Sequence, residues 1–140
     1  MTKTFYPRGI FRLPTGGIKY HESILNALLR ETHEEMGLDV LVRRLLAAVA
    51  YCVAGEVTNK PPVFYTFAFL LDEIDGALGA LDVSEQVEAF LEVEPDAFLE
   101  VAERPEQVKT TYSSEIEGRW QDWGRFRPVI HRVVWEAYKK

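Results

Sequence analysis

The order of hydrophobic and polar positions predicts three helices. Apolar residues recur at positions 24, 25, 28 and 29, and Gly37 stands where helices commonly end, so residues 23–36 predict an amphipathic helix. Residues 123–138 predict a terminal helix, because their apolar positions have helical spacing and Pro128 is early enough to be accommodated or to kink it. Residues 95–101 predict a short helix with a proline in its first turn.

Segments rich in β-branched and aromatic residues predict strands. The clearest is VFYTFAFLL at 63–71. Residues 40–54 are compatible with a strand or, in part, a helix, and we favour a strand because a glycine has just ended the preceding helix. Two shorter strands are predicted, one in GIFRLP at 9–14 and one at 86–93, whereas the polar residues 103–119 predict a loop. Strands and helices mix without regular βαβ alternation, so the predicted fold class is α+β.

The composition narrows the range of functions. A chain of 140 residues that is 47% hydrophobic predicts a single domain, residues 1–140, with a sizeable core. The formal net charge of −6 opposes binding to a nucleic acid polymer or an anionic membrane, because phosphate contacts need clustered Lys and Arg. No stretch approaches the roughly 18 apolar residues of a membrane span, so a cytoplasmic protein is expected.

The single cysteine, Cys52, excludes an intramolecular disulfide and a cysteine-based zinc cluster. It lies in the apolar run AAVAYCVA, so we expect it to be a small residue of the core.

Three carboxylates crowd the end of the first predicted helix, in the stretch RETHEE. On a helix Glu31, Glu34 and Glu35 lie on one face, where like charges three or four residues apart are destabilising. The C-terminal end of a helix also disfavours anions. A divalent cation would remove both penalties, because Mg²⁺ prefers carboxylate oxygens and commonly joins them to substrate phosphates. On charge alone, a solvated acidic face is the more common explanation.

The spacing around these carboxylates changes that interpretation. The stretch from Gly16 to Leu38 resembles the Nudix box, G-x5-E-x7-R-E-U-x-E-E-x-G-U, in which U is usually a bulky apolar residue. Thr32 departs from this pattern at the first U, but it is β-branched and can bury its methyl group. The positions that match are Gly16, Glu22, Arg30, Glu31, Glu34, Glu35, Gly37 and Leu38.

The resemblance implies a fold, a cofactor and an activity. The implied fold is an α/β/α sandwich around a mixed sheet, and the implied reaction is hydrolysis of a nucleoside diphosphate linked to another moiety, X. The metal, Mg²⁺ or Mn²⁺, would be held by Glu31, Glu34 and Glu35, with the carbonyl of Gly16 as an extra ligand. Arg30 would be structural, and Glu22 would be its partner or an outer ligand.

The residue that takes a proton from the attacking water stays open at this point. A box glutamate such as Glu34 or Glu31 is one choice, and a glutamate further along the chain is the other. Glu85 and Glu88, in SEQVEAF, are the downstream candidates, and Glu115 and Glu117 are weaker ones.

Substrate choice is not readable from the residues that flank the box. Arg12 and Lys19, together with Arg8, flank the glycine loop and are candidates for contacts with substrate phosphates. Only fifteen residues precede Gly16, so we expect either that the sequence starts late or that the protein has a reduced sheet, which lacks a strand. Because an unpaired sheet edge invites pairing with another chain, we predict a homodimer that covers this edge.

Two other functions fit the same box. A non-catalytic module that binds a nucleotide or a protein is one, although such a module has no physical reason to retain mutually repulsive glutamates. An isomerase acting on a prenyl diphosphate is the other, and the regular box argues against it.

Overall fold

The structure, a computed structural model, describes residues 1–52, 61–62, 64–104, 112–113 and 118–140. The helices are α1 (Ile24–Met36), α2 (Phe98–Glu103) and α3 (Trp120–Tyr138). The strands are β1 (Thr2–Lys3), β2 (Leu38–Tyr51), β3 (Phe64–Gly76), β4 (Val87–Ala89), β5 (Tyr112–Ser113) and β6 (Gly118–Arg119). Two short 3₁₀ helices span Val83–Glu85 and Pro95–Ala97.

A long antiparallel hairpin of β2 and β3 is the main β element. Its register runs from Leu38 opposite Gly76 to Tyr51 opposite Phe64, with three local irregularities. Both α1 and α3 contact β2. The buried apolar side chains of the described residues are Met1, Ile10, Ala27, Leu38, Ala102, Ile130 and Val134.

The first residues of the chain are tied to the segment that follows the hairpin. β1 pairs antiparallel with β4, so that Thr2 lies opposite Ala89 and Lys3 opposite Val87. The Thr4 N–H extends this pairing by donating to the Gln86 carbonyl at 2.9 Å. This short sheet therefore holds the side chain of Lys3 near the 3₁₀ turn Val83–Glu85.

The α+β class is confirmed, and so are the first helix and the two long strands. The strand predicted at 86–93 is limited to β4, and the short helix at 95–101 forms as a 3₁₀ turn followed by α2. Helix α3 begins at Trp120, earlier than predicted, and Pro128 is fully buried within it. In the predicted loop 103–119, β5 and β6 occupy two short stretches, while 105–111 and 114–117 lie outside the described residues.

The strand predicted in GIFRLP was wrong, since residues 10–19 have no regular secondary structure. The backbone N–H groups there find partners outside any sheet ladder: Arg12 donates to the Met1 carbonyl at 2.9 Å, and Leu13 donates to the His131 ring at 3.0 Å. Within the described ranges, the strands accordingly pair as three two-stranded antiparallel sheets and not as the mixed sheet that the resemblance implied.

Cys52 is exposed, contrary to the core position expected for it. It directly follows Tyr51, the last residue of β2. In the part of the chain that the structure describes, no helix combines the length and the apolar character needed to cross a bilayer.

Candidate metal centre

Three glutamates from two separate segments bring their carboxylates together. Oxygens of Glu31, Glu34 and Glu85 all lie within 4.8 Å of one another, and each of these side chains is partly buried. The first two are three residues apart on α1 and so share a face of the helix. Glu85 ends the 3₁₀ turn that follows the hairpin. Such a cluster of oxygen donors is the kind that hard divalent cations prefer.

Helix α1 starts and stops where its sequence dictates. The Ser23 hydroxyl accepts the Asn26 N–H at 3.1 Å and so caps the N-terminus. Gly37 ends the helix in the left-handed conformation, with φ of 68°, and its N–H donates to the His33 carbonyl at 2.9 Å. Thr32, the departure from the box pattern, is buried, and its hydroxyl donates to the Leu28 carbonyl at 2.7 Å. The departure therefore leaves no polar group unsatisfied at that position.

Arg30 holds the acidic face of α1 together. Its guanidinium grips Glu22 at both oxygens, at 2.8 and 2.9 Å, and donates to Glu31 at 2.7 Å and to Glu34 at 2.9 Å. These hydrogen bonds lower the pKa of Glu22 from 4.5 to about 2, and they raise the pKa of Arg30. Arg30 thus pairs with Glu22 and with Glu34 at the same time. The arginine offsets much of the repulsion among the helix carboxylates.

The glycine loop packs directly on the first of these carboxylates. The Gly17 N–H donates to Glu31 at 3.1 Å, and the Gly17 carbonyl accepts from Arg30 at 2.8 Å. A Cβ atom at Gly16 would overlap the side-chain carbons of Glu31, so only glycine allows this approach. The loop therefore fixes the orientation of a predicted metal ligand.

Backbone hydrogen bonds to the end of α1 bring Glu85 to the site. The Gly79 N–H donates to the Met36 carbonyl at 2.9 Å, and the Leu81 and Asp82 N–H groups donate to the Glu34 carbonyl at 2.9 and 3.2 Å. These bonds satisfy carbonyls that a helix C-terminus leaves without partners. The Asp82 carboxylate then caps the 3₁₀ turn by accepting the Ser84 N–H at 2.8 Å. The turn ends with Glu85 facing α1.

Glu35 has a different environment from the other box glutamates. It is 2% exposed, and its carboxylate lies 3.2 Å from the Lys3 ammonium. Burial raises the pKa of Glu35, while the Lys3 ammonium acts in the opposite direction. The same ammonium donates to Glu85 at 3.0 Å. Glu35 thus lies beside the three-carboxylate cluster and is joined to it through Lys3.

A cavity of about 650 Å³ opens next to these groups. Its lining includes carboxylates, Lys3 and the glycine loop, together with apolar residues of α1 and β3. The aromatic side chains Tyr65, Phe67 and Phe69 lie two residues apart on one face of β3, and the first two rings are nearly parallel, with centroids 6.4 Å apart. The lining of the cavity therefore combines charged groups with aromatic rings.

Other residues singled out from the sequence lie away from this cluster. Glu88 is exposed on β4, and Glu115 and Glu117 lie outside the described residues. Arg12 is 8% exposed and uses its guanidinium for the Tyr6 and Thr15 hydroxyls, so its placement does not support a contact with substrate phosphates. The local conformation of the chain explains this, because it turns the Arg12 side chain inward, where it supports the segment before the glycines.

Lys19 is exposed within the box, and its backbone N–H donates to Glu22 at 2.9 Å. Its side chain does not line the cavity.

Two residues near the site carried no sequence signal. Lys3 is an isolated lysine in a short strand, and His131 is one polar position on an amphipathic helix. His131 is 2% exposed, and its Nε2 accepts the Leu13 N–H that precedes the glycine loop. Only the folded chain brings these side chains to the site.

Comparison with known proteins adds one finding. No curated protein and no solved structure matches the chain. The family model described as NUDIX domain matches residues 1–120, a span that includes the box, the hairpin and Glu85. With a match over most of its length and the box glutamates gathered around Arg30, this chain belongs to the Nudix family.

Proposed function

We propose that the protein hydrolyses a diphosphate linkage in a nucleoside diphosphate joined to another moiety, with Mg²⁺ or Mn²⁺ as cofactor. Membership of the family supports hydrolysis of nucleoside diphosphate derivatives in general, and Nudix enzymes generally use divalent metals. The observation that carries the proposal is the convergence of Glu31 and Glu34 with Glu85 across the whole β2–β3 hairpin. A merely solvated acidic helix would not need a third carboxylate brought from a distant segment.

The donor set fits a hard divalent cation. Carboxylate oxygens are the ligands that Mg²⁺ and Mn²⁺ favour, and those of Glu31 and Glu34 lie close enough to bind one ion, with Glu85 beside it. The cluster lies at the C-terminal end of α1, where backbone dipoles add negative potential. Glu31 and Glu34 would hold the metal from the helix, with Glu35 behind them. When bound, the cation supplies positive charge that offsets the negative charge on the diphosphate oxygens.

Glu85 is our proposed general base. It faces Glu31 and Glu34 from outside the helix, so its carboxylate borders both the cluster and the cavity. In this role it accepts a proton from the water that attacks phosphorus, while Arg30 and the glycine loop keep the helix carboxylates oriented. Glu88 is three residues further along but exposed on β4, so it lies outside the cluster.

The cavity indicates the kind of substrate. Its volume is in the range typical of small-molecule sites, roughly 300 to 1,000 Å³. The aromatic face of Tyr65 and Phe67 suits a planar group such as a nucleobase, and the carboxylates suit a metal-bound diphosphate. Together these linings support a nucleoside diphosphate derivative as the substrate.

A substrate panel with two variants tests this proposal. Nucleoside triphosphates, ADP-ribose, NADH and dinucleoside polyphosphates are incubated with Mg²⁺ or Mn²⁺, and the nucleotide products are separated and quantified by chromatography. Glu85→Gln should lower turnover by about 100- to 10,000-fold, as expected for loss of a general base, while Mn²⁺ binding measured by calorimetry is retained. Glu34→Gln should lower both turnover and Mn²⁺ affinity. Glu88→Gln is the matched control and should behave like the wild type.

Two results would contradict the proposal at different levels. If no member of the panel is cleaved in a metal-dependent manner, the proposed hydrolysis is wrong and the binding module is favoured. If Glu85→Gln loses Mn²⁺ binding together with turnover, Glu85 is a metal ligand and the general base is another residue.

A further inference from the structure

Lys3 places a positive charge between two carboxylates at the edge of the cavity. Its ammonium lies 3.2 Å from Glu35 and 3.0 Å from Glu85, and its side chain is 12% exposed. The pairing of β1 with β4 fixes the backbone of Lys3 opposite Val87, two residues after Glu85. The fold therefore holds the ammonium of Lys3 in a fixed position, unlike the ammonium of a mobile lysine on the surface.

Among the described residues, Lys3 is the one cationic side chain that lines the cavity. The cavity is otherwise bordered by carboxylates, glycine backbone and apolar residues, and this surface repels a diphosphate. Arg30 is near, but its guanidinium is committed to Glu22, Glu31, Glu34 and the Gly17 carbonyl. Arg12 is turned inward, and the Lys19 side chain is outside the lining.

We infer that Lys3 is a substrate-binding residue that donates a hydrogen bond to a diphosphate oxygen in the cavity. An ammonium carries three N–H donors, and the contacts with Glu35 and Glu85 use two of them. The third is available to an anion that enters the cavity which Lys3 lines. The carboxylates of Glu35 and Glu85 orient the ammonium. Its positive charge adds to that of a bound divalent cation in attracting the diphosphate. This inference rests on the proposed function, because it assumes that the cavity accepts a diphosphate.

A binding measurement separates this role from any effect of Lys3 on Glu85. Methylenediphosphonate, a diphosphate analogue that cannot be hydrolysed, is titrated by calorimetry into protein saturated with Mg²⁺. Lys3→Met should weaken its binding by about 10- to 100-fold, which is the usual size of a lost charge-assisted hydrogen bond. Lys3→Arg keeps the charge and should recover most of the affinity. Lys139→Met, which removes an exposed lysine paired with Glu136, is the control and should bind like the wild type.

A second pair of variants separates the loss of a substrate contact from misfolding of the Lys3→Met protein. Lys3→Met leaves the buried Glu35 without its partner, so the double variant Lys3→Met/Glu35→Gln removes both charges together. Compared with Glu35→Gln alone, the double variant should still bind methylenediphosphonate at least 10-fold more weakly. Equal affinity of these two proteins would overturn the assignment of Lys3 while leaving the proposed hydrolase intact. If the wild type itself fails to bind the analogue with Mg²⁺, the diphosphate site is wrong and the role of Lys3 falls with it.

Discussion

The contact between Gly37 and the segment after β3 can be tested by adding one methyl group. Gly37 has φ of 68°, and a Cβ atom there would lie 2.5 Å from the Gly79 carbonyl oxygen and 2.7 Å from that of Ala77. Gly37→Ala therefore meets a conformational penalty of about 1 to 2 kcal/mol and a clash with backbone as well. Moving the clashing segment also breaks the hydrogen bond from Gly79 to Met36, worth about 1 kcal/mol net. We expect a total loss of about 3 kcal/mol or more in the free energy of unfolding.

Gly9 provides the matched control for this experiment. It has φ of 81°, but a Cβ atom there would meet nothing within 4 Å. Gly9→Ala should therefore cost only the conformational penalty of about 1 to 2 kcal/mol. With a urea dependence of about 2 kcal/mol per M, the unfolding midpoint should fall by about 1.5 M for Gly37→Ala and by about 0.5 to 1 M for Gly9→Ala. Tryptophan fluorescence reports both transitions.

The two midpoints decide whether the reasoning holds. If Gly37→Ala and Gly9→Ala lose the same stability, the segment from 77 to 79 yields without cost and does not fix the end of α1. Turnover gives a second readout, because displacement of this segment moves Glu85, the proposed general base, away from Glu31 and Glu34. Turnover should consequently be lower in Gly37→Ala than in Gly9→Ala.

Three further predictions concern the loss of stability at low pH, the reactivity of the Cys52 thiol and the oligomeric state. The pKa of Glu22 is lowered from 4.5 to about 2, so its contribution to stability is present above about pH 4.5 and is lost as the pH falls toward 2. Urea midpoints of Glu22→Gln should therefore decline less steeply than those of the wild type in this window, and parallel curves would refute the Arg30 pairing. The Cys52 thiol is exposed, so an aromatic disulfide reagent should titrate it equally fast with and without urea, and protection without urea would place it in the interior. The homodimer stays a prediction: light scattering at micromolar concentration should give twice the mass of the chain, and a monomeric mass would count against it.

Local sequence was sufficient to predict α1 and its acidic face. Ser23 and Gly37 are strong signals for the start and end of a helix, and the spacing between them places Glu31 and Glu34 on one face. The structure adds the reason that this face is tolerated without a metal. Arg30 reaches four groups at once, and the residues that define this network are all within the box.

Long-range contacts explain what the sequence did not reveal. Glu85 and Glu88 look alike in SEQVEAF, and only the hydrogen bonds from residues 79–82 to the end of α1 distinguish them. The same holds for Arg12, because alternation in GIFRLP cannot show that its side chain turns inward toward Tyr6 and Thr15. Lys3 is the extreme case, since its partners lie far along the chain and a single lysine forms no pattern.

The β2–β3 hairpin lies between Glu34 and Glu85 in the sequence, so it determines when the carboxylate cluster can form during folding. A nascent chain that has not yet reached residue 85 has the helix carboxylates but lacks their opposite partner, so it cannot complete the cluster. Contacts between segments so distant in sequence form late, because the intervening loop must first close. On the proposed function, a divalent cation then binds the folded chain far better than the unfolded one and stabilises it by mass action. The cellular supply of that cation would thus affect the stability of the folded chain as well as the rate of substrate turnover.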